Sequence, residues 1–183
     1  MSCQRAALGR ILTKVSLVSG TLGDKVIDLA AALPQLLPSA IAWAEAKSAE
    51  VYSGGVALAP VGLTLARAVG VARPEQIRVS FVDQLPLPED PELRAAALQS
   101  GLLGPEMVGI TFGYGIYMCN GHVTNRLLSH ECRHVYPYEV AGSIASFLPL
   151  YLKQIVTLGY AQAPLEVDAR YHERDWPPIH PRR

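Results

Sequence analysis

Apolar and polar positions along the chain change period several times. Residues 26–44, VIDLAAALPQLLPSAIAWA, form a nearly unbroken apolar run. Asp28, Pro34, Gln35 and Pro38 make it a poor membrane-spanning segment, and it reads as a buried or interfacial helix. Residues 39–52 are rich in helix formers and stop at Gly54-Gly55. Pro60 opens a second short helix that Gly70 ends. In residues 77–83, Ile77, Val79 and Phe81 alternate with Arg78 and Ser80, which predicts a half-buried strand. A proline-rich loop follows, then a helix over 91–99 with Pro91 in its first turn. Residues 107–119 read as β, with Val108, Ile110 and Phe112 on one face and Gly113 and Gly115 permitting a sharp turn.

Asn120-Gly121 is a turn signal, and Thr124 or Asn125 can cap the helix that follows. Pro137 removes a donor and crowds the carbonyl of Arg133, so this helix is expected over 125–136, ending or kinking near Tyr136. Gly142 marks a break before an apolar helix over 143–158 that contains Pro149. A loop holding Tyr160 leads to a helix that starts at Pro164. Helices, then strands, then helices predict an α+β fold. Residues 1–40 read as an N-terminal helical extension, 41–176 as the main domain and 177–183 as a tail.

Composition narrows the classes of function. With 183 residues, half of them apolar, one domain can build a core without disulfides. The 16 basic and 16 acidic residues balance, and no basic block is present, so nothing points to nucleic acid. Cys3, Cys119 and Cys132 form no CxxC, which disfavours a disulfide framework or a cysteine zinc site and makes reduced, cytoplasmic thiols the expectation. No signal-peptide pattern is evident near the start. Residues 26–44 could touch a membrane surface.

The candidate chemistry lies in HECRH, residues 130–134. Residues four apart share a helix face, so His130 and His134 can direct ring nitrogens at one metal ion. Glu131 follows about 100° around the helix. There it can reach a water at the metal without being a ligand, as a general base must. A catalytic zinc needs a third ligand, and Glu139, Glu166, Asp168, His172 and Glu173 are the candidates. Glu166 is favoured, because the one helix between it and His134 can bring the chain back to the site. Asp168 fits better as an acceptor for a ligand histidine. Tyr160 could polarise a substrate carbonyl, and Tyr114 invites a similar reading. Cys132 reads as a core thiol, and His122 as a surface turn residue.

HECRH at 130–134 and EVDA at 166–169 together resemble the zincin metallopeptidases whose third ligand is a glutamate, the gluzincins. The likeness spans about 108–170 and extends more weakly to 43–87. It implies a zincin-like domain, with a small sheet on the HExxH helix and residues 108–113 as an edge strand on which a peptide or protein substrate pairs. It also implies Zn²⁺ held by His130, His134 and Glu166, with Glu131 as base. The competing expectation is a zinc-stabilised binding protein with no open metal position.

Overall fold

A computed structural model describes residues 26–175. The first helix, α1, runs without interruption over Leu29–Gly54 and is capped by Asp28, whose carboxylate accepts from the Ala31 amide at 3.1 Å. It passes through Pro34, Pro38 and residue 40, joining the two helical stretches read from the sequence. Two-residue β1 (Val56–Ala57) and α2 (Pro60–Ala68) follow, then β2 (Arg78–Val82). Helix α3 (Pro91–Gln99) has Pro91 in its first turn and Asp90 as cap, with the Leu93 amide donating to its carboxylate at 2.7 Å. Strands β3 (Gly109–Phe112) and β4 (Gly115–Cys119) form a hairpin closed by Gly113-Tyr114, and Gly113 takes φ 62°. Helices α4 (Asn125–Ala141), α5 (Ile144–Leu158) and α6 (Pro164–Tyr171) complete the described chain.

The sheet order is β1-β2-β4-β3, with β2 and β4 parallel and the other pairs antiparallel. Strand β4 is buried along its whole length, and its side chains alternate between two cores. Ile116 and Met118 join Val79, Ala66, Cys132 and Val135 under α2 and α4. Phe112 and Tyr117 join Ala40, Ala44, Leu93 and Leu148 under α1, α3 and α5. The described residues thus form one α+β unit, with helices on both faces of a small mixed sheet. None of its helices is long and apolar enough to cross a membrane.

Two local expectations are corrected. Helix α4 does not end near Tyr136; it continues through Pro137 to Ala141, and Gly142 caps it at φ 82°. Val135 and Tyr138, on either side of the proline, are both buried, so packing holds the helix where the backbone alone would release it. Phe81 does not share the burial of Ile77 and Val79: it is 46% exposed and lies outside both apolar clusters. Residues 1–25 and the tail 177–183 lie outside the described residues.

Candidate metal centre

Thr124 caps α4 by accepting from the Leu127 amide at 3.1 Å, which sets the helical phase three residues before the first histidine. His130 and His134 then project from one face, with their Nε2 atoms 3.2 Å apart. Glu166, in the first turn of α6, reaches the same point. Its Oε1 is 3.2 Å from His134 Nε2, and its Oε2 is 3.6 Å from His130 Nε2. Bonds of 2.0–2.1 Å in tetrahedral array place ligand atoms roughly 3.3 Å apart, so these separations fit a single ion. Glu166 is almost fully buried, and its Oε2 has no hydrogen-bond partner. A buried carboxylate oxygen that accepts no hydrogen bond is costly, and the Arg170 guanidinium, 3.7 Å away, offers it charge but no hydrogen bond. Here it points where two imidazole nitrogens converge, and a cation at that point would satisfy all three atoms. Of the five residues considered as third ligand, the structure brings only Glu166 into this cluster.

Electrostatics follow the same geometry. Burial alone would raise the Glu166 carboxyl, but the facing His130 and His134 imidazoles outweigh it and hold the group well below the usual carboxylate range. Burial works against a charged His130, yet Glu166, Glu131 and Glu173 together raise its pKa. The pocket therefore favours positive charge at its centre.

A supporting layer holds the side chains of the cluster. His130 Nδ1 lies 3.1 Å from Glu173 Oε1, and the other oxygen of Glu173 pairs with Arg126. Glu173 thus takes the orienting role expected of Asp168. Asp168 instead pairs with Arg133 at 2.5 Å and lies 3.4 Å from His172 Nδ1, so both it and His172 are drawn off the site. The reason is angular: Asp168 and Glu166 are two apart on α6 and face different ways. Tyr151 on α5 donates to Glu166 Oε1 at 2.6 Å, and burial keeps this phenol protonated. Glu139 accepts from the Ala72 and Arg73 amides and from the Tyr114 hydroxyl, which places Glu139 and Tyr114 in a structural clamp away from the cluster.

Glu131 is buried beneath the edge strand β3. Its Oε2 accepts from the Thr111 hydroxyl at 2.8 Å, and burial raises its carboxyl above the ordinary value. The fit is close: a Cβ at Gly109 would stand 2.8 Å from Glu131 Cδ. Tyr160, in a single turn of 3₁₀ helix, lines the cleft shared by Gly109, Glu131 and His130 and also the pocket holding His134 and Glu166. Burial, then the nearby Glu166 and Glu131 carboxylates, push its hydroxyl pKa up, so it stays a donor. His122 is exposed at the same cleft, and Cys132 is buried in the core.

Sequence reading missed Tyr151 and Thr111 and assigned Glu173 only as a spare ligand. Tyr151 sits in an apolar helix and Thr111 in a strand, and neither position carries a local signal of its partner. Comparison with known protein families, with characterised proteins and with solved structures finds no match.

Proposed function

We propose that this chain is a zinc-dependent metallopeptidase with a zincin-like arrangement, in which His130, His134 and Glu166 hold the metal and Glu131 is the general base. The observation that carries the reading is Glu166 Oε2, which accepts no hydrogen bond and faces two converging imidazole nitrogens, with a second buried carboxylate, Glu131, beside them and outside the cluster. Zinc, when bound, supplies a Lewis acid that polarises the scissile carbonyl and lowers the pKa of water towards roughly 7.

The chain's own groups do the rest. Glu131 takes a proton from the attacking water and returns it to the departing amine nitrogen. Its burial raises its proton affinity towards the range such a shuttle needs, while Thr111 keeps the carboxylate aimed. Tyr160, protonated and at the cleft, donates to the carbonyl oxygen as negative charge develops there. Glu173 holds the His130 ring, and Tyr151 holds Glu166.

Strand β3 supports a peptide substrate. Val108, Ile110 and Phe112 alternate as the residues bonded to β4, so Gly109 and Thr111 turn their peptide groups to the outer edge. Tyr138 already donates to the Thr111 carbonyl at 3.3 Å, which leaves Gly109 and the residues before it as the pairing stretch.

The test is metal analysis of the full chain together with digestion of a peptide mixture, before and after chelation and zinc restoration. One zinc per chain and chelator-sensitive, zinc-restored cleavage are expected. Stoichiometric zinc without cleavage of any peptide would favour the metal-stabilised binding protein instead, and absence of metal affinity would reject both.

A further inference from the structure

Both carboxylate oxygens of Glu166 face the histidines. Oε1 lies 3.2 Å from His134 Nε2, and Oε2 lies 3.6 Å from His130 Nε2. Placement alone would let a cation take one oxygen or both. What sets the two apart is Tyr151, whose hydroxyl donates to Oε1 at 2.6 Å, while Oε2 accepts no hydrogen bond. A hydrogen bond to an ionised carboxylate is short and strong, and the oxygen that accepts it commits a lone pair to the phenol. Oε2 keeps its lone pairs free, because the Arg170 guanidinium stands 3.7 Å off and makes no hydrogen bond to it.

The donor is held in place by its own helix. The Tyr151 ring stacks on that of Phe147, with centroids 5.7 Å apart and 15° between planes. Phe147 packs in turn on Tyr138 of α4 at 4.2 Å, and Tyr151 also meets the His134 ring at 6.1 Å. Further along α5, Gln154 Oε1 accepts from the Leu165 amide at 3.3 Å. Helix α6 has no side-chain cap at Ala163, so Gln154 supplies an acceptor that its first turn lacks. Helix α5 therefore holds the Glu166 turn twice: at the backbone through Gln154, and at one carboxylate oxygen through Tyr151.

We propose that Tyr151 restricts Glu166 to a single metal-binding oxygen, Oε2, and so keeps the centre tetrahedral and selective for zinc over larger divalent ions. The inference rests on the ligand set proposed above and not on peptide cleavage. A zinc site of this kind takes its protein ligands and one further group in tetrahedral array. Both Glu166 oxygens on the ion would add a contact beyond that set. Such an arrangement suits ions that gather larger sets of oxygen ligands, calcium and manganese among them. Tyr151 is a positioning residue, acting on the metal through Glu166.

Cobalt(II) is the probe, because its visible d–d bands weaken as ligands are added beyond a tetrahedral set. The full chain, stripped of metal and loaded with Co²⁺, should show the strong bands of a tetrahedral ion. Tyr151→Phe keeps the ring stack and loses only the hydroxyl, so it should bind Co²⁺ with distinctly weaker bands. Competition against a chromophoric chelator should place its zinc Kd about 10–100-fold higher, the usual cost of losing a group that orients a ligand. The ratio of zinc to Mn²⁺ affinity should fall with it. Gln154→Ala loosens the start of α6 but leaves the bond to Oε1, and it should keep the wild-type bands. Equal bands in wild type and Tyr151→Phe would overturn the assignment and leave the metal centre standing. Weak bands in the wild type would do the same without need of a variant. Bands weakened as much in Gln154→Ala as in Tyr151→Phe would also overturn it, since any loosening of α6 would then suffice. A wild-type chain that takes up neither Co²⁺ nor Zn²⁺ would remove the ligand set itself, and this inference with it.

Discussion

Gly109 and Glu131 can be understood only together. The strand carries no side chain at 109, and the Glu131 carboxylate occupies the volume that a side chain would take. Its second oxygen is fixed by Thr111 from the same strand. Gly109→Ala should therefore push Glu131 out of place, while His130, His134 and Glu166, which lie outside that contact, keep their positions. Crowding in a packed site costs about 1–3 kcal/mol, so a modest fall in stability is expected too. Kinetics and metal content of the purified variant decide: cleavage should fall at least ~10-fold with zinc retained, because a misplaced base forfeits part of a contribution typically worth about 10²–10⁴-fold. Wild-type turnover in this variant would show that the space beside Glu131 is slack. Nothing in the sequence linked these two residues, which are far apart along the chain and meet only because α4 packs against the edge strand.

The helices show where local rules yield to packing. Helix α4 carries both histidines and runs through Pro137. A proline there removes one intrahelical hydrogen bond and strains the turn, at a cost of about 3 kcal/mol in an unconstrained helix. The helix persists because its neighbours Val135 and Tyr138 are locked in the core and Glu139, one turn on, is tied to the amides of residues 72 and 73. Pro137→Ala should restore the bond to the Arg133 carbonyl and stabilise the fold by about 1–3 kcal/mol, read as a higher denaturant midpoint with unchanged slope. A destabilised variant would mean that the proline ring itself is part of the packing. The sequence places the elements well where caps and periodicity speak: Thr124 before α4, Asp90-Pro91 at α3 and the alternation in β3 are all legible. It misleads where a proline or an exposed Phe81 obeys tertiary contacts instead.

At the scale of the whole molecule, the balanced net charge hides a local excess. Glu131, Glu166 and Glu173 gather around two histidines at the junction of α4, α5, α6 and β3. The HExxH spacing made the two histidines and Glu131 legible in the sequence, and the position of Glu166 one helix later made it a candidate. Tyr151 and the true role of Glu173 were not legible, since they depend on how α5 and the chain after α6 fold back onto α4. A cation joining α4 to α6 should stabilise the entire fold. Zinc at roughly 100 times its Kd adds about 2.7 kcal/mol, and a chain of this length gains roughly 2–4 °C per kcal/mol, so chelation should lower Tm by about 5–10 °C. An unchanged Tm on chelation would argue against a metal held between these helices.

The most direct test pairs two numbers for wild type and Glu131→Gln: zinc per chain and turnover of a cleavable peptide. Glutamine keeps the size of Glu131 and can still accept from Thr111, but it cannot take the water's proton. One zinc per chain is predicted in both proteins, with turnover in the variant at least ~100-fold lower. Equal turnover would contradict Glu131 as the base. Loss of zinc in the variant, or wild-type protein that binds none, would contradict His130, His134 and Glu166 as the ligand set.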